Sequence, residues 1–515
     1  NAEHQNVRTL SAQRDGIIVP DLPTIDTSTE QDVAGGGYNH WATAGFFGRL
    51  NYNYKEKYLL EVNGRYDGTS RFMKDQRWNF FPSFSLGWNV ARENFWKPLE
   101  SVVNQFKLRG SWGELGNQNT SNLYPFYEIL PVKSNSGNWL VNGGKTNTAD
   151  IPSLVSTLLT WERVRSFNVG FDFGAFSNRL TGSFDYFVRK TVDMVGPAPQ
   201  LPLVLGIAPA IVNNADMKSY GFEIELSWRD RIGEVDYGVK FNLADAQQKV
   251  VKYPNTTNAF SDWYAGKMSG EIWGYTSLGI AKTDEEMKEH LASLPNGGQN
   301  QLGNKWGAGD IMYADINGDG KIDGGKGTLA DPGDQRIIGN STPRYNFGLV
   351  LDASYKGFDV SIFFQGVGKR DYAPIVGTNG AVFWGAVNNI WQSMAMEEHF
   401  DYFRPEGHPM GANLNGYYPR PDFTSNKNHQ VQTRYLQDAS YIRLKNLQIG
   451  YTLPKQWINK LHINRCRVYV SGDNLWTGTS LASMFDPETL AAGDWGSGKT
   501  YPLSKVISFG LNVNF

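Results

Sequence analysis

The sequence predicts an all-β chain: an antiparallel transmembrane β-barrel, present in part. Three observations predict it. Polar and apolar residues alternate with a period of two over segments about ten residues long. The connections between those segments alternate between long and short. Aromatic residues make up 14% of the 515 positions, while no apolar run approaches the roughly 20 residues of a membrane-spanning helix.

Successive side chains of a strand point to opposite faces, so each segment declares two faces. Tyr58, Leu60, Val62 and Tyr66 oppose Glu61, Asn63 and Arg65. Phe167, Val169, Phe171 and Phe173 oppose Asn168, Gly170, Asp172 and Gly174. Phe222, Ile224, Leu226 and Trp228 oppose Glu223, Glu225 and Ser227. Phe347, Leu349, Leu351 and Tyr355 oppose Asn346, Gly348, Asp352 and Ser354. Ile507, Phe509, Leu511, Val513 and Phe515 oppose Ser508, Gly510, Asn512 and Asn514. About thirteen such segments fall near 44–54, 57–67, 80–90, 105–113, 164–174, 179–190, 218–228, 235–249, 344–355, 358–367, 440–452, 465–473 and 505–515. Their length suits a tilted membrane strand better than the five or six residues usual in soluble sheets. A soluble all-β protein, a propeller or tandem sandwiches, is the competing reading.

Long connections are expected at 68–79, 114–163, 191–217, 250–343, 368–439 and 474–504. Shorter ones are expected at 55–56, 91–104, 175–178, 229–234, 356–357 and 453–464. Outer-membrane barrels carry long loops outside and short turns at the periplasm. With Phe515 at the periplasmic end, every long loop falls outside. The same parity makes residues 1–43 an irregular extracellular loop tail, with barrel over 44–515. An odd strand count implies missing strands, upstream or in a companion chain, because bacterial barrels generally have even numbers. The chain opens at Asn1 without Met or signal peptide, as a processed product or fragment would. A nick in an exposed loop before Asn1 is one expectation, and a gene boundary the other.

Composition excludes several classes. Net charge is -2, from 49 basic and 51 acidic residues, which argues against nucleic-acid binding. Cys466 is the single cysteine, so neither an intrachain disulfide nor a multi-cysteine metal site is available. The 7 histidines are scattered, and neither H-E-x-x-H, G-x-S-x-G nor a P-loop occurs. No enzyme is expected. The carboxylates Asp172, Asp185, Glu223 and Glu225 are expected to pair with a plug or with Arg65, Arg109, Arg189 and Arg443, rather than to hydrolyse glycosides.

Particular stretches carry a resemblance. FFGRLNYNYKEKYLLEVNGRYDGTSRF (46–72), FFPSFSLGWNVARENF (80–95), KLRGSWGELGNQ (107–118), GDIMYADINGDGKID (309–323), the run 335–368, DASYIRLKNLQIGYTLP (438–454) and the closing strands resemble the SusC/RagA family of TonB-dependent outer-membrane transporters. The resemblance implies the C-terminal barrel half of such a transporter, in a barrel of about 22 strands with a plugged lumen. It implies the outer membrane of a Gram-negative, Bacteroidetes-like bacterium. It also implies partners: the remainder of the transporter with its plug, TonB acting through that plug, and a SusD-like surface lipoprotein as lid. Many members pair two transporters with two lids. Import of oligosaccharides is the implied function, with peptide import the alternative. A passive porin or a soluble glycan-binding protein stands further off. Phe515 resembles the terminal aromatic read by the barrel-assembly machinery.

Two groups are candidate sites. Asp315, Asn317, Asp319, Lys321 (through its carbonyl) and Asp323 have the spacing of a calcium loop, with Gly320 at the sharp turn. Lys326 stands where a standard loop has its acidic twelfth ligand. The family's acidic residue there is displaced by an insertion, and Asp334 is the substitute the resemblance implies. Ca2+ or Mg2+ is the expected cofactor, with no organic one; an Asx-rich turn without metal is the competing reading. Trp139, Trp161, Trp263, Trp273, Trp306, Trp384, Trp391, Tyr417, Tyr418 and Trp495 lie in the long connections. Their flat rings suit sugar faces; packing anchors, lid contacts and interfacial girdle residues are the alternatives.

Overall fold

Alternation becomes a wall. The computed structural model describes residues 1–16, 32–118, 120, 123–198, 202–207, 209–374, 381–385, 396–422, 426–459, 462–490 and 500–515. Fourteen strands pair into one antiparallel sheet in chain order. They are β1 (Ala2–Arg14), β2 (Asp32–Tyr54), β3 (Tyr58–Thr69), β4 (Trp78–Asn89), β5 (Val103–Asn117), β6 (Glu162–Ala175) and β7 (Leu180–Val195), followed by β8 (Asn213–Ile232), β9 (Val235–Lys252), β10 (Arg344–Tyr355), β11 (Phe358–Lys369), β12 (Tyr441–Thr452), β13 (Arg465–Thr479) and β14 (Val506–Asn514). From β2 onward each strand contains or overlaps one of the alternating segments.

The exception is a correction. The described residues of the 1–43 stretch are not an irregular tail, because 2–14 form β1 and 32–43 start β2. β1 pairs with β2 from Ala2↔Ala44 to Arg14↔Asp32, whereas β2 pairs with β3 only from Thr43↔Thr69 to Tyr54↔Tyr58. The two registers overlap only at Thr43 and Ala44. A two-stranded ribbon therefore runs on past the end of β3. Its hydrophobic period is weak: Thr9, Leu10 and Ser11 face Gly37, Gly36 and Gly35. Backbone pairing, rather than a greasy face, holds it, so periodicity does not reveal it.

The outward face is banded. Phe46, Trp78 and Tyr66 stack at the long-loop end of β2, β4 and β3, with centroids 6.3 and 5.1 Å apart. Tyr54, Tyr58 and Trp88 stack at the other end, at 6.5 and 6.4 Å. Tyr58 and Tyr66 are separated by about 26 Å of strand, close to the height of the apolar band between aromatic girdles. Leu50, Phe84 and Leu86 are exposed between them.

Turns and close approaches explain the small residues. Tyr355 and Phe358 pair across Lys356-Gly357, whose φ values are 45° and 91°. Two positive φ values make the hairpin turn whose twist matches the flanking strands, and glycine enters that region without penalty. At Gly510 the ring of Tyr469 lies over the backbone, where a Cβ would stand 2.1 Å from it.

At the opposite edge from the short turns, the connections fold together. Tyr275, Ile311, Tyr313, Ile322, Phe383, Trp384, Tyr418, Tyr435, Leu481 and Phe485 form one buried cluster drawn from three connections. Helix α1 (Asp284–Ala292) lies within the 250–343 connection. Thr283 caps it by accepting a hydrogen bond from the Glu286 N–H at 3.1 Å. These loops thus build a packed cap with its own core.

Candidate functional site

The concave face is polar because every second residue of the same strands must point there. Arg109 on β5 reaches two neighbours. Its Nη1 and Nη2 donate to Asp185 Oδ1 and Oδ2 at 2.5 Å, and its Nε donates to Asp172 Oδ1 at 3.1 Å. This is the expected pairing of Arg109. Arg65 bonds Asp67 on its own strand, and Arg443 bonds Asp486 and Glu488 of the 474–504 connection. Glu223 and Glu225 are exposed on this face. Glu225, Asp172, Lys107, Lys240, Ser183 and Asn242 line a cavity of about 1170 Å³ toward the short-turn end. A surface of alternating charges, hydroxyls and amides suits a hydrated solute or a second polar protein surface.

The cap is bolted by charge. Asp310 is fully buried, and Lys427 is 1% exposed. Lys427 Nζ donates to Asp310 Oδ2 at 3.0 Å, and Arg420 Nη2 donates to the same oxygen at 2.6 Å. Arg420 Nε and Asn428 Nδ2 donate to Oδ1 at 2.8 and 2.9 Å. Those four hydrogen bonds join the 250–343 connection to the 368–439 connection, and the Gly307 N–H adds a fifth to Oδ2 at 2.9 Å. No signal in the sequence marks this group, since its members stand over 100 residues apart.

The 315–334 loop coils as its spacing implies, and its oxygens are engaged by its own backbone. Asp315 accepts from the Gly318 and Gly320 N–H groups at 2.7 and 2.8 Å. Asn317 Oδ1 accepts from Asp319 N at 3.0 Å, and Asp319 Oδ1 from Lys321 N at 3.2 Å. Asp334 accepts from Ile316 N at 2.8 Å and Asp323 N at 2.9 Å, which ties its carboxylate to the backbone of both ends of the coil. Burial pushes the Asp334 carboxyl above its usual range. The Lys321 ammonium, 2.5 Å from Asp323 Oδ2, holds the Asp323 carboxyl below it. Among the described residues, no group of three or more acidic, His or Cys side chains is arranged around one metal position. The Lys321 side chain occupies Asp323 Oδ2, one of the oxygens the calcium-loop spacing offers.

The aromatic candidates divide. Trp161, Trp384 and Tyr418 are 4%, 2% and 6% exposed, which leaves no ring face for a ligand. That corrects their expected role. Trp161 packs on Phe72 and Phe81 and donates its Nε1 hydrogen to Arg77 O at 2.9 Å. Trp384 and Tyr418 anchor the cap core. Trp273 stacks on Phe260 at 4.5 Å and bonds Glu271, and Lys427 Nζ lies 5.0 Å from the Trp306 ring centre. Tyr417 accepts hydrogen bonds from Arg434 and the Tyr435 hydroxyl at its backbone carbonyl and from Gln437 Nε2 at its own hydroxyl. Trp139 is exposed, and Trp263 is half-buried against Tyr253. Trp391 and Trp495 lie outside the described residues.

The family model for the TonB-dependent receptor-like β-barrel matches residues 3–475. The chain belongs to the TonB-dependent receptor-like β-barrel family. Among curated relatives, TonB-dependent receptor P3 of Formosa agariphila is 30% identical over 499 residues, covering 91% of this chain and 45% of that protein. TonB-dependent receptor SusC of Bacteroides thetaiotaomicron is 24% identical over 486 residues, covering 91% of this chain and 43% of that protein. The chain thus spans less than half the length of these relatives. The RagAB peptide transporter structure superposes with a TM-score of 0.76 over all of this chain and 52% of its own, at 22% identity. That likeness is one of fold. This TonB-dependent receptor-like barrel is an outer-membrane protein, and the fourteen strands of its described sheet are part of a larger cylinder.

Proposed function

We propose that the chain forms wall and extracellular mouth of a TonB-dependent oligosaccharide importer that works with a SusD-like surface lipoprotein as its lid. One observation carries the reading: a sheet with a girdled, apolar outer face and a polar inner face carries, at one end, a cap folded from its long loops. That cap, with the exposed Trp139 and the half-buried Trp263 beyond it, is the place where a hydrated ligand would meet the barrel. Energy coupling to TonB, the plug and the remaining strands belong, in this reading, to the length of the relatives that this chain does not span. Two such importers paired with two lids complete the proposed assembly. No catalytic residue is assigned. The oligosaccharide preference is supported by the aromatic residues of the mouth. The RagAB neighbour is named a peptide transporter, and at 22% identity that likeness speaks for fold alone. A divalent cation at 315–334 is the remaining part of the proposal, supported by the oxygen-rich spacing and by the Asp334 carboxylate tied to both ends of the coil.

The test uses the detergent-extracted complex and intact cells. Native mass spectrometry after exposure to an oligosaccharide panel and a mixed peptide pool should retain oligosaccharide, and cellular uptake should stop when TonB is deleted. Retention of peptides alone would make this a peptide importer. Uptake that continues without TonB would make it a passive porin.

A further inference from the structure

The register places four basic residues side by side. Arg165 on β6 pairs with Lys190 on β7, Lys190 pairs with Lys218 on β8, and Lys218 pairs with Lys249 on β9. Each pairing lies in an unbroken stretch of ladder that continues through Phe167↔Val188, Val188↔Tyr220 and Tyr220↔Gln247 two residues deeper. The basic side chains therefore leave from the lipid-facing side, just beyond Phe167, Val188 and Tyr220 on three strands and the polar Gln247 on the fourth. All four stand at the long-loop ends of their strands. At one strand spacing per step, the row spans about 14 Å.

Like charges directly opposite on neighbouring strands destabilise a sheet. Acidic neighbours cover only part of the row. Glu114 accepts from Arg163 at 2.5 Å and from Arg165 at 2.7 Å, and Asp216 lies 3.6 Å from Lys190. Lys218 and Lys249 make no ion pair among the described residues; Lys218 Nζ lies 5.3 Å from the Tyr220 ring centre. Two carboxylates against five cations leave a positive excess on one outward patch, in a chain whose net charge is -2. An aromatic, amphipathic ring beneath a cluster of ammonium groups matches a lipid headgroup that carries phosphate above acyl chains.

We propose that Arg165, Lys190, Lys218 and Lys249 form a docking row for a phosphate-bearing lipid of the outer leaflet. The row clamps the headgroup phosphates, while Phe167, Val188 and Tyr220 meet the upper acyl region. The proposal rests on the outer-membrane reading with long connections outside. Its occupant is a lipid because the side chains leave from the membrane face rather than from the lumen or the loops.

The detergent-purified complex is titrated with bis-phosphorylated lipid A, or with the same lipid after enzymatic dephosphorylation, and bound lipid is read by native mass spectrometry. The phosphorylated lipid should be retained preferentially, and the triple variant Lys190→Gln, Lys218→Gln, Lys249→Gln should weaken that retention about tenfold or more. Heat-modifiable migration on a gel confirms that the variant is a folded barrel. The single variant Lys218→Gln, with a smaller loss in the same direction, serves if the triple variant does not fold. Equal retention of both lipids, or unchanged retention by folded variants, would overturn the proposal. Displacement by millimolar inorganic phosphate would also overturn it, since a free anion would then be the ligand. Extraction without detergent would sink the membrane reading itself, a result separate from any loss of lipid preference.

Discussion

Lys427 Nζ lies 3.0 Å from Asp310 Oδ2, and both side chains are buried between two connections of the loop cap. Removing one partner of such a pair leaves a buried charge uncompensated, at a cost of about 3–5 kcal/mol. Lys427→Met should cost less than Asp310→Asn, because Arg420 and Asn428 still hold Asp310. Hydrogen exchange over 300–315 and 416–432 should rise in both variants, and more in Asp310→Asn. Exchange confined to neither stretch would show that the two connections are not coupled there.

The cap should loosen in acid. His429 is buried against Trp384, with ring centres 4.5 Å apart, and burial pushes its imidazole down to about 4, opposed weakly by Asp422. Its folded value lies below its unfolded one, so the unfolded chain binds the proton more readily. Stability from neutral His429 is therefore present above about 6.5 and is lost as pH falls from there towards 4. The full loss is roughly 3 kcal/mol at most. Exchange in the cap measured between neutral pH and pH 4 should show it, and His429→Phe should flatten the dependence.

Calcium should stabilise the 309–335 stretch by competing with the Lys321 side chain for Asp323. A cation at about one hundred times its dissociation constant stabilises by roughly 2.7 kcal/mol. Added Ca2+ should lower exchange in this stretch, EGTA should reverse it, and Asp315→Ala should abolish the response. Indifference to both reagents would leave the loop a self-bonded turn.

Leu511 points outward from β14, opposite Val468. Leu511→Arg should cost about 2–4 kcal/mol near the bilayer midplane and reduce the yield of heat-modifiable barrel. Asn512→Ser, on the inner face, should be mild. A normal yield for Leu511→Arg would place the residue away from lipid.

What the sequence by itself determined is the wall. A strand shows its two faces every two residues, so Phe167 to Phe173 or Ile507 to Val513 announce lipid and lumen locally. The coil of 315–323 is equally local, set by Asx residues and Gly320. Only the tertiary structure decided the rest. The β1–β2 ribbon has glycines where a hydrophobic period would be, so pairing alone defines it. Trp161, Trp384 and Tyr418 look like ligand platforms along the chain, yet packing from distant connections buries them. Asp310 gathers Arg420, Lys427 and Asn428, and the row from Arg165 to Lys249 forms, because folding sets strand register and loop contacts over separations that no local pattern encodes. Burial and register are properties of the assembled sheet, and they decide which exposed-looking residue is an anchor and which scattered charges become one surface.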